Sequence, residues 1–285
     1  MNPPIVQISS LGVISVTGED ASKFLQGQLS CDVENLATHN YCFGLHCNAQ
    51  GRIIAAFILY KDNERYLIVL PQDNIPNTLA NLQRFAVFSK VELNNQSEEN
   101  IILGAVPNTG VTATPQELSM YARLDLFKDL TLWIGKRQKG GASLEAHTES
   151  AAWHEQRLRH GIPLIYHATH AKHLAHRLNY HNSGFISFTK GCYVGQEIIA
   201  RTHYKATIKH HLHLINIQAE HPVLPGAKCE NGAAMLGDII DAVSIEAGKT
   251  LALISCADTA QGFSECIIAG QPAFIQWEKT FQVVD

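Results

Sequence analysis

The stretch Lys190-Gly191-Cys192-Tyr193-Val194-Gly195-Gln196-Glu197 decides how this chain is read. Glycines stand one residue before the cysteine and three after it. Glycine lets a backbone turn sharply and approach a ligand closely. Residues 185–188, Phe-Ile-Ser-Phe, predict a strand, and residues 196–202 predict a helix. Cys192 then falls at a strand-to-helix turn. The amides and dipole of a helix starting near Gln196 favour a thiolate there. Lys190 adds to that effect, and Glu197 opposes it because a nearby carboxylate raises a thiol pKa. Gln196 brings both a donor and an acceptor for a polar ligand. The plainer reading of the same residues is a small buried thiol at a packed turn, since free cysteines are among the most buried side chains.

The surroundings of this stretch are electrically distinct. Between residues 151 and 213 lie eight basic side chains (Arg157, Arg159, Lys172, Arg177, Lys190, Arg201, Lys205, Lys209) and two acidic ones, Glu155 and Glu197. The segment is therefore +6 within a chain of net charge −4. Such a segment in an acidic chain suits an anionic ligand: a carboxylate tail, a phosphate or a nucleic acid. A solvated face with no partner is the alternative.

The whole chain has 285 residues, 46% hydrophobic and 17% charged, enough for two or three packed units and unlike a disordered composition. Met1-Asn2-Pro3-Pro4 carries no basic segment followed by an apolar run, so no signal peptide is expected. The longest apolar run, residues 53–60, is too short to span a bilayer. Seven scattered cysteines, an odd number, match reduced cytoplasmic usage better than a disulfide framework.

Outward from the motif, helices and antiparallel strands mix. Residues 13–17 predict the first strand, and Gly18-Glu19-Asp20 opens a short helix. Residues 41–47, 53–60 and 66–70 predict a meander that turns at Ala49-Gln50-Gly51-Arg52. Pro76 opens a helix, and strands follow at residues 101–105 and 130–134, with a loop over 107–115 between them. Ser150 is placed to cap a helix through His160. After Lys209 short β-like runs with turn glycines predict a small barrel or sandwich. The class is α+β, divided near residue 205.

The longer segment from Gly184 to Arg201 closely resembles the signature of the YgfZ family of folate-binding proteins, Ile-Ser-Phe-x-Lys-Gly-Cys-Tyr-x-Gly-Gln-Glu followed by Ala-Arg. This family is related to the T protein (aminomethyltransferase) of the glycine cleavage system. Four other stretches agree in order: Phe24-Leu25-Gln26-Gly27-Gln28-Leu29, Cys47-Asn48-Ala49-Gln50-Gly51-Arg52, Phe85-Ala86-Val87-Phe88-Ser89-Lys90-Val91, and Trp153 with Gly161-Ile162-Pro163. The resemblance covers most of residues 11–205 and is weak beyond them.

It implies a folate-binding body of two interleaved α+β subdomains over residues 1–205 and a C-terminal β-barrel over 206–285. It puts Cys192, with Lys190, as an essential thiol beside a pocket defined by Trp153 and the first strand. Tetrahydrofolate or a derivative is the implied cofactor. Trp153 would stack on the ligand, with Tyr193, Gln196, Glu197 and Arg201 as further binding residues. A second family tryptophan, on the first strand, is Leu11 here. The implied role is support of iron–sulfur enzymes and their assembly factors, including enzymes that modify tRNA. The alternative is a folate-dependent aminomethyl transferase like the T protein, and fold alone does not decide between them. Direct tRNA binding is a third reading of the basic segment.

No permanent metal is expected. His167, His170, His173 and His176 recur every three residues, a spacing that drifts around a helix, so the four would share no face. Cys42 and Cys47, five apart in one strand, would point to opposite faces.

Overall fold

The computed structural model describes residues 4–36, 40–105, 111–112, 115–137, 151–232 and 234–281. Ser150 and most of the expected loop at 107–115 lie outside the described residues. In chain order the elements begin with β1 (Pro4–Gln7), β2 (Leu11–Thr17), α1 (Ala21–Gln28), β3 (Tyr41–Cys47), β4 (Ile53–Asp62) and β5 (Arg65–Pro71). There follow α2 (Ile75–Ala86), β6 (Glu92–Asn95), β7 (Asn100–Ala105), β8 (Val111–Thr112), α3 (Pro115–Leu118), β9 (Ala122–Phe127) and β10 (Leu130–Lys136). Helices α4 (Ala151–Arg159) and α5 (Gln196–Lys205) precede six further strands.

Those strands are β11 (His211–Ala219), β12 (Lys228–Asn231), β13 (Ala234–Glu246), β14 (Lys249–Cys256), β15 (Glu265–Ile268) and β16 (Gln271–Phe281). They close into a barrel in the order β11-β14-β13-β12-β15-β16. Closure leaves no strand edge unpaired.

The remaining strands form two five-stranded antiparallel sheets, β3-β4-β5-β2-β6 and β8-β1-β7-β10-β9. The chain passes between them twice: β1 and β2 part company, and so do β6 and β7. This is the interleaving expected of the body. It explains why β4 reads as one continuous apolar run: all seven residues from Ile53 to Leu59 are buried, so both faces of the strand are covered. One face of the first sheet packs under α1 and α2 through Leu25, Leu29, Ile68 and Leu82. The core between the two sheets takes Leu11, Val13, Ile58, Val69, Leu132 and Trp153.

Three expectations are corrected. Residues 185–188 form no strand. They are tied across to a single residue, Ser30, whose hydroxyl donates to the Phe185 carbonyl at 2.6 Å and whose own carbonyl accepts from the Ser187 amide at 2.9 Å. The first strand is β1, ahead of the one carrying Leu11. Val111–Thr112, expected as loop, pairs with β1. Cys42 and Cys47 do part to opposite faces, one packing under α1 and the other toward the barrel.

One buried ion pair joins body to barrel. Arg157 of α4 donates from Nη1 to Asp241 Oδ2 of β13 at 2.7 Å, and the two side chains are 3% and 0% exposed. The Leu164 amide donates to the same oxygen at 2.7 Å, and the Tyr166 hydroxyl donates to Oδ1 at 3.0 Å. Burial works to lower the Arg157 pKa, but the carboxylate outweighs it and the guanidinium stays above its ordinary range. Removing one partner strands a buried charge. Asp241→Asn is expected to cost about 3–5 kcal/mol in urea unfolding, whereas Arg157→Met with Asp241→Leu should lose clearly less.

Candidate functional site

The Cys192 loop is framed from below. Lys190 is buried, and its ammonium donates to three backbone carbonyls: Gln26 at 2.7 Å, Leu29 at 2.8 Å and Cys31 at 2.8 Å. Those carbonyls lie at and just past the end of α1, where helical carbonyls lack partners and a cation is favoured. All three ammonium protons are engaged, so Lys190 has none left for the thiol or a ligand. Burial lowers its pKa. The side chain thus positions the loop, a role its place in the sequence did not reveal. Tyr193 is buried with its ring 5.2 Å from the Lys190 nitrogen.

Gly195 closes the loop. It has φ +85°, and a Cβ there would lie 2.7 Å from the Asn48 carbonyl and 3.2 Å from Cys47 Cβ. Its counterpart Gly51, φ +69°, sits against Ile198, 2.9 Å from where a Cβ would be. No side chain fits between the β3–β4 turn and the start of α5, so these glycines set how closely the two approach. Gly191 carries no such demand: a Cβ there would meet nothing within 4 Å.

Cys192 itself is exposed, the one cysteine of the seven in that class. Cys31, Cys47, Cys229, Cys256 and Cys266 are buried and Cys42 is half-buried. Burial pushes the Cys47 and Cys256 thiols up to about 12. Brief alkylation of the native protein with iodoacetamide should therefore mark Cys192 selectively, and peptide mass spectrometry of the wild type and of Cys192→Ser checks this.

Leu11 and Trp153 do come together. They line an enclosed cavity with Phe43, Phe127, Phe185 and Arg157. Phe43 stacks on Phe185 (centroids 4.8 Å, 18°) and lies 6.0 Å from Phe127. Cys192, Tyr193, Gln196, Glu197 and Arg201 do not line it. The expected single pocket is therefore two neighbouring features, linked by Phe185, which stands in the cavity wall at the head of the motif. Gln196, Glu197 and Arg201 sit on α5, the latter two exposed.

The cavity's chemistry and its size give different answers for a folate. Trp153 Nε1 and Arg157 Nε and Nη2 are buried without a hydrogen-bond partner. Such donors match the oxygen and ring-nitrogen acceptors of a pterin, and leaving them unmade is costly. The free volume is about 20 Å³. That is room for about one water molecule, against roughly 300 Å³ or more for a ligand of folate size. The donors fit and the closed volume does not.

The histidines divide differently from their spacing. His173 and His176 are buried; the His176 ring lies 4.5 Å from His181 and 5.8 Å from His203, and the His167 ring lies 5.6 Å from His170. Among the described residues no group of three or more histidine, cysteine or acidic side chains is arranged to hold a metal ion. Burial pushes His46, His173, His176 and His181 down to about 4. Unfolded histidines bind protons near pH 6.5, so between about 4 and 6.5 the unfolded chain holds more protons and stability rises with pH. The unfolding free energy from urea titrations should fall as pH drops through that window, by up to about 1.4 kcal/mol per pH unit from fully buried His46 alone. His46→Gln should flatten the slope.

Two interleaved antiparallel sheets followed by a closed barrel make up the fold of the glycine-cleavage T protein. The crystal structure of the glycine cleavage system aminomethyltransferase T from Bartonella henselae matches with a TM-score of 0.63, covering 96% of this chain and 84% of that one at 14% identity. A GCVT N-terminal domain model matches residues 4–106. At the level of sequence, the tRNA-modifying protein YgfZ of Colwellia psychrerythraea is 30% identical over 76% of this chain and 73% of its own. That of Aliivibrio fischeri is 29% identical over 87% and 83%. The chain belongs to the YgfZ family. Among the described residues no helix is long and apolar enough to cross a membrane.

Proposed function

We propose that this protein is a folate-binding accessory factor that supports the assembly or repair of iron–sulfur enzymes, including enzymes that modify tRNA, and that Cys192 is its essential group. The observation that carries the reading is the contrast between Cys192 and its setting. An exposed thiol sits on a loop held rigid by Lys190, Tyr193 and Gly195, while the other cysteines are wholly or partly buried. Rigid presentation suits a group that must meet a partner or a cluster in one geometry. The relatives' name, tRNA-modifying protein, supports the second half of the reading.

Folate enters this proposal through the body, residues 1–205. Trp153 and Arg157 supply the unpaired donors, and a folate could enter only with a displacement of the aromatic wall of Phe43, Phe127 and Phe185. Leu11 in place of a second tryptophan gives a smoother, less stacking wall. A bound tetrahydrofolate would supply one-carbon or redox-active pterin chemistry; the protein's own residues here bind and orient it. The barrel, residues 206–285, closes the body through Asp241.

Two measurements test this. In a bacterial strain lacking its own family member, scored by an iron–sulfur tRNA methylthiolase, the wild type is expected to complement and Cys192→Ala to fail; full complementation by the alanine variant would sink the role of the thiol. In a Trp133→Phe, Trp277→Phe background, tetrahydrofolate should quench Trp153 fluorescence saturably. Sustained formation of methylene-tetrahydrofolate from an aminomethyl donor would replace the accessory role by that of a transferase.

A further inference from the structure

The basic segment divides once its side chains are placed. Arg157 is consumed by Asp241, Arg159 pairs with Glu155 and Glu278, and Lys190 is spent on carbonyls. Lys172, Arg177, Arg201, Lys205 and Lys209 are left exposed, and among the described residues none of these five forms an ion pair. Contacts bring the segment that carries Lys172 and Arg177 against α5, which carries Arg201 and Lys205. Arg52, also exposed, donates to the Lys172 carbonyl and bridges to Leu174. Its neighbour Gly51 packs on Ile198 of α5. The 3₁₀ turn at Ala175–Leu178, which carries Arg177, brings its His176 ring to 5.8 Å from His203 of α5. Glu197 is the acid that α5 sets against this charge.

The same end of α5 carries flat rings. Phe188 stacks on His203 with centroids 4.0 Å apart at 22°. Tyr204 stands edge-on to His203 at 4.8 Å and is 69% exposed. Tyr204 leaves most of a ring in water, between Arg201 and Lys205 in sequence and next to His203, whose ring is stacked on Phe188.

Exposed cations interleaved with an exposed ring platform match one class of polyanion. Phosphates meet arginine and lysine without regard to sequence. Bases stack on aromatic side chains only where they are unpaired, because a duplex buries their faces. An acidic protein would satisfy the charge and leave the rings unused. We propose that this face docks RNA at a loop or strand with unpaired bases, one base lying on Tyr204 and the backbone running over Arg201 and Lys205. The RNA is thereby brought to the side of the protein that presents Cys192. This deepens the reading above by giving the Cys192 face a direct RNA partner, and it rests on that reading for its biological sense but on different residues from the folate cavity.

The test is fluorescence anisotropy of the full chain, free of any affinity tag, with a labelled RNA hairpin that has a single-stranded loop and with a fully paired RNA duplex of the same length. The hairpin is expected to bind tighter. Tyr204→Ala should weaken hairpin binding about 5- to 150-fold, the range of one lost base stack, and leave the duplex unchanged. Lys205→Ala should lower the slope of log affinity against log salt by about 0.7–0.9 for both RNAs. No RNA binding, equal affinity for hairpin and duplex, an unaffected Tyr204→Ala variant, or displacement of the hairpin by a polyglutamate peptide at equal charge would each overturn the proposal. Tetrahydrofolate quenching is measured on the same preparations. Lost RNA binding with quenching intact refutes the docking face alone, and lost quenching with RNA binding intact refutes the folate reading alone.

Discussion

A carboxylate with no exposed surface in the middle of a barrel strand is tolerable only if every lone pair is engaged, and Asp241 shows how much of the structure is arranged to engage it. Arg157 comes from α4, the Leu164 amide and the Tyr166 hydroxyl from the connection after it. Arg157 in turn donates to the Ile162 carbonyl at 2.5 Å, which closes the end of α4 onto the same chain segment. Body, connection and barrel therefore meet at a single charge. The desolvation of two ions makes this weak as a source of stability but strong as a constraint on register, because neither partner can be displaced without stranding the other. Trp153 lies one helical turn before Arg157, so the helix that anchors the barrel also sets the cavity wall.

The loop of Cys192 is held by a second device of the same kind. Lys190 satisfies carbonyls that α1 leaves open, so the position of the loop follows the end of that helix. A lysine used in this way loses its reach as a catalytic cation. The effect on Cys192 is geometric instead: the residue two positions on is fixed relative to α1 below and, through Gly195 and Gly51, relative to the β3–β4 turn beside it.

Much of this was legible in the sequence, and the failures share a cause. The meander, the helix carrying Trp153, the start of α5 at Gln196 and the terminal barrel rest on local periodicity and turn residues, which survive in a linear reading. What did not survive is partner choice across the chain. Nothing in the sequence near Lys190 points to Gln26, Leu29 and Cys31, more than 150 residues away. Nothing near Arg157 points to Asp241, so the sequence counts Arg157 with the basic segment when its charge is paired in the interior. Residues 185–188 have strand composition but bond across to Ser30 and not to a sheet edge, and a strand needs a ladder as well as a propensity. The four histidines at three-residue intervals share no single site, although His167 and His170 touch, because their segment is a series of turns and bridges, to which helical spacing does not apply.

The motif can now be read residue by residue for what packing demands. Phe185 fills the cavity wall, Ser187 pairs with Ser30, Lys190 clamps α1, Tyr193 is buried, Gly195 admits a close backbone approach, and Ile199 joins the core facing the barrel. Each of these identities follows from contacts inside the protein. Gly191 and Cys192 are both exposed, and among the described residues no contact requires a thiol there. A free cysteine is usually kept as a small buried apolar group, and the others in this chain conform to that in greater or lesser degree. Cys192 departs from it on a loop whose backbone is held by the buried Lys190 ammonium and by the close approach that Gly195 admits. The case for the thiol as a working group therefore rests less on its own chemistry than on the rigidity of everything beneath it.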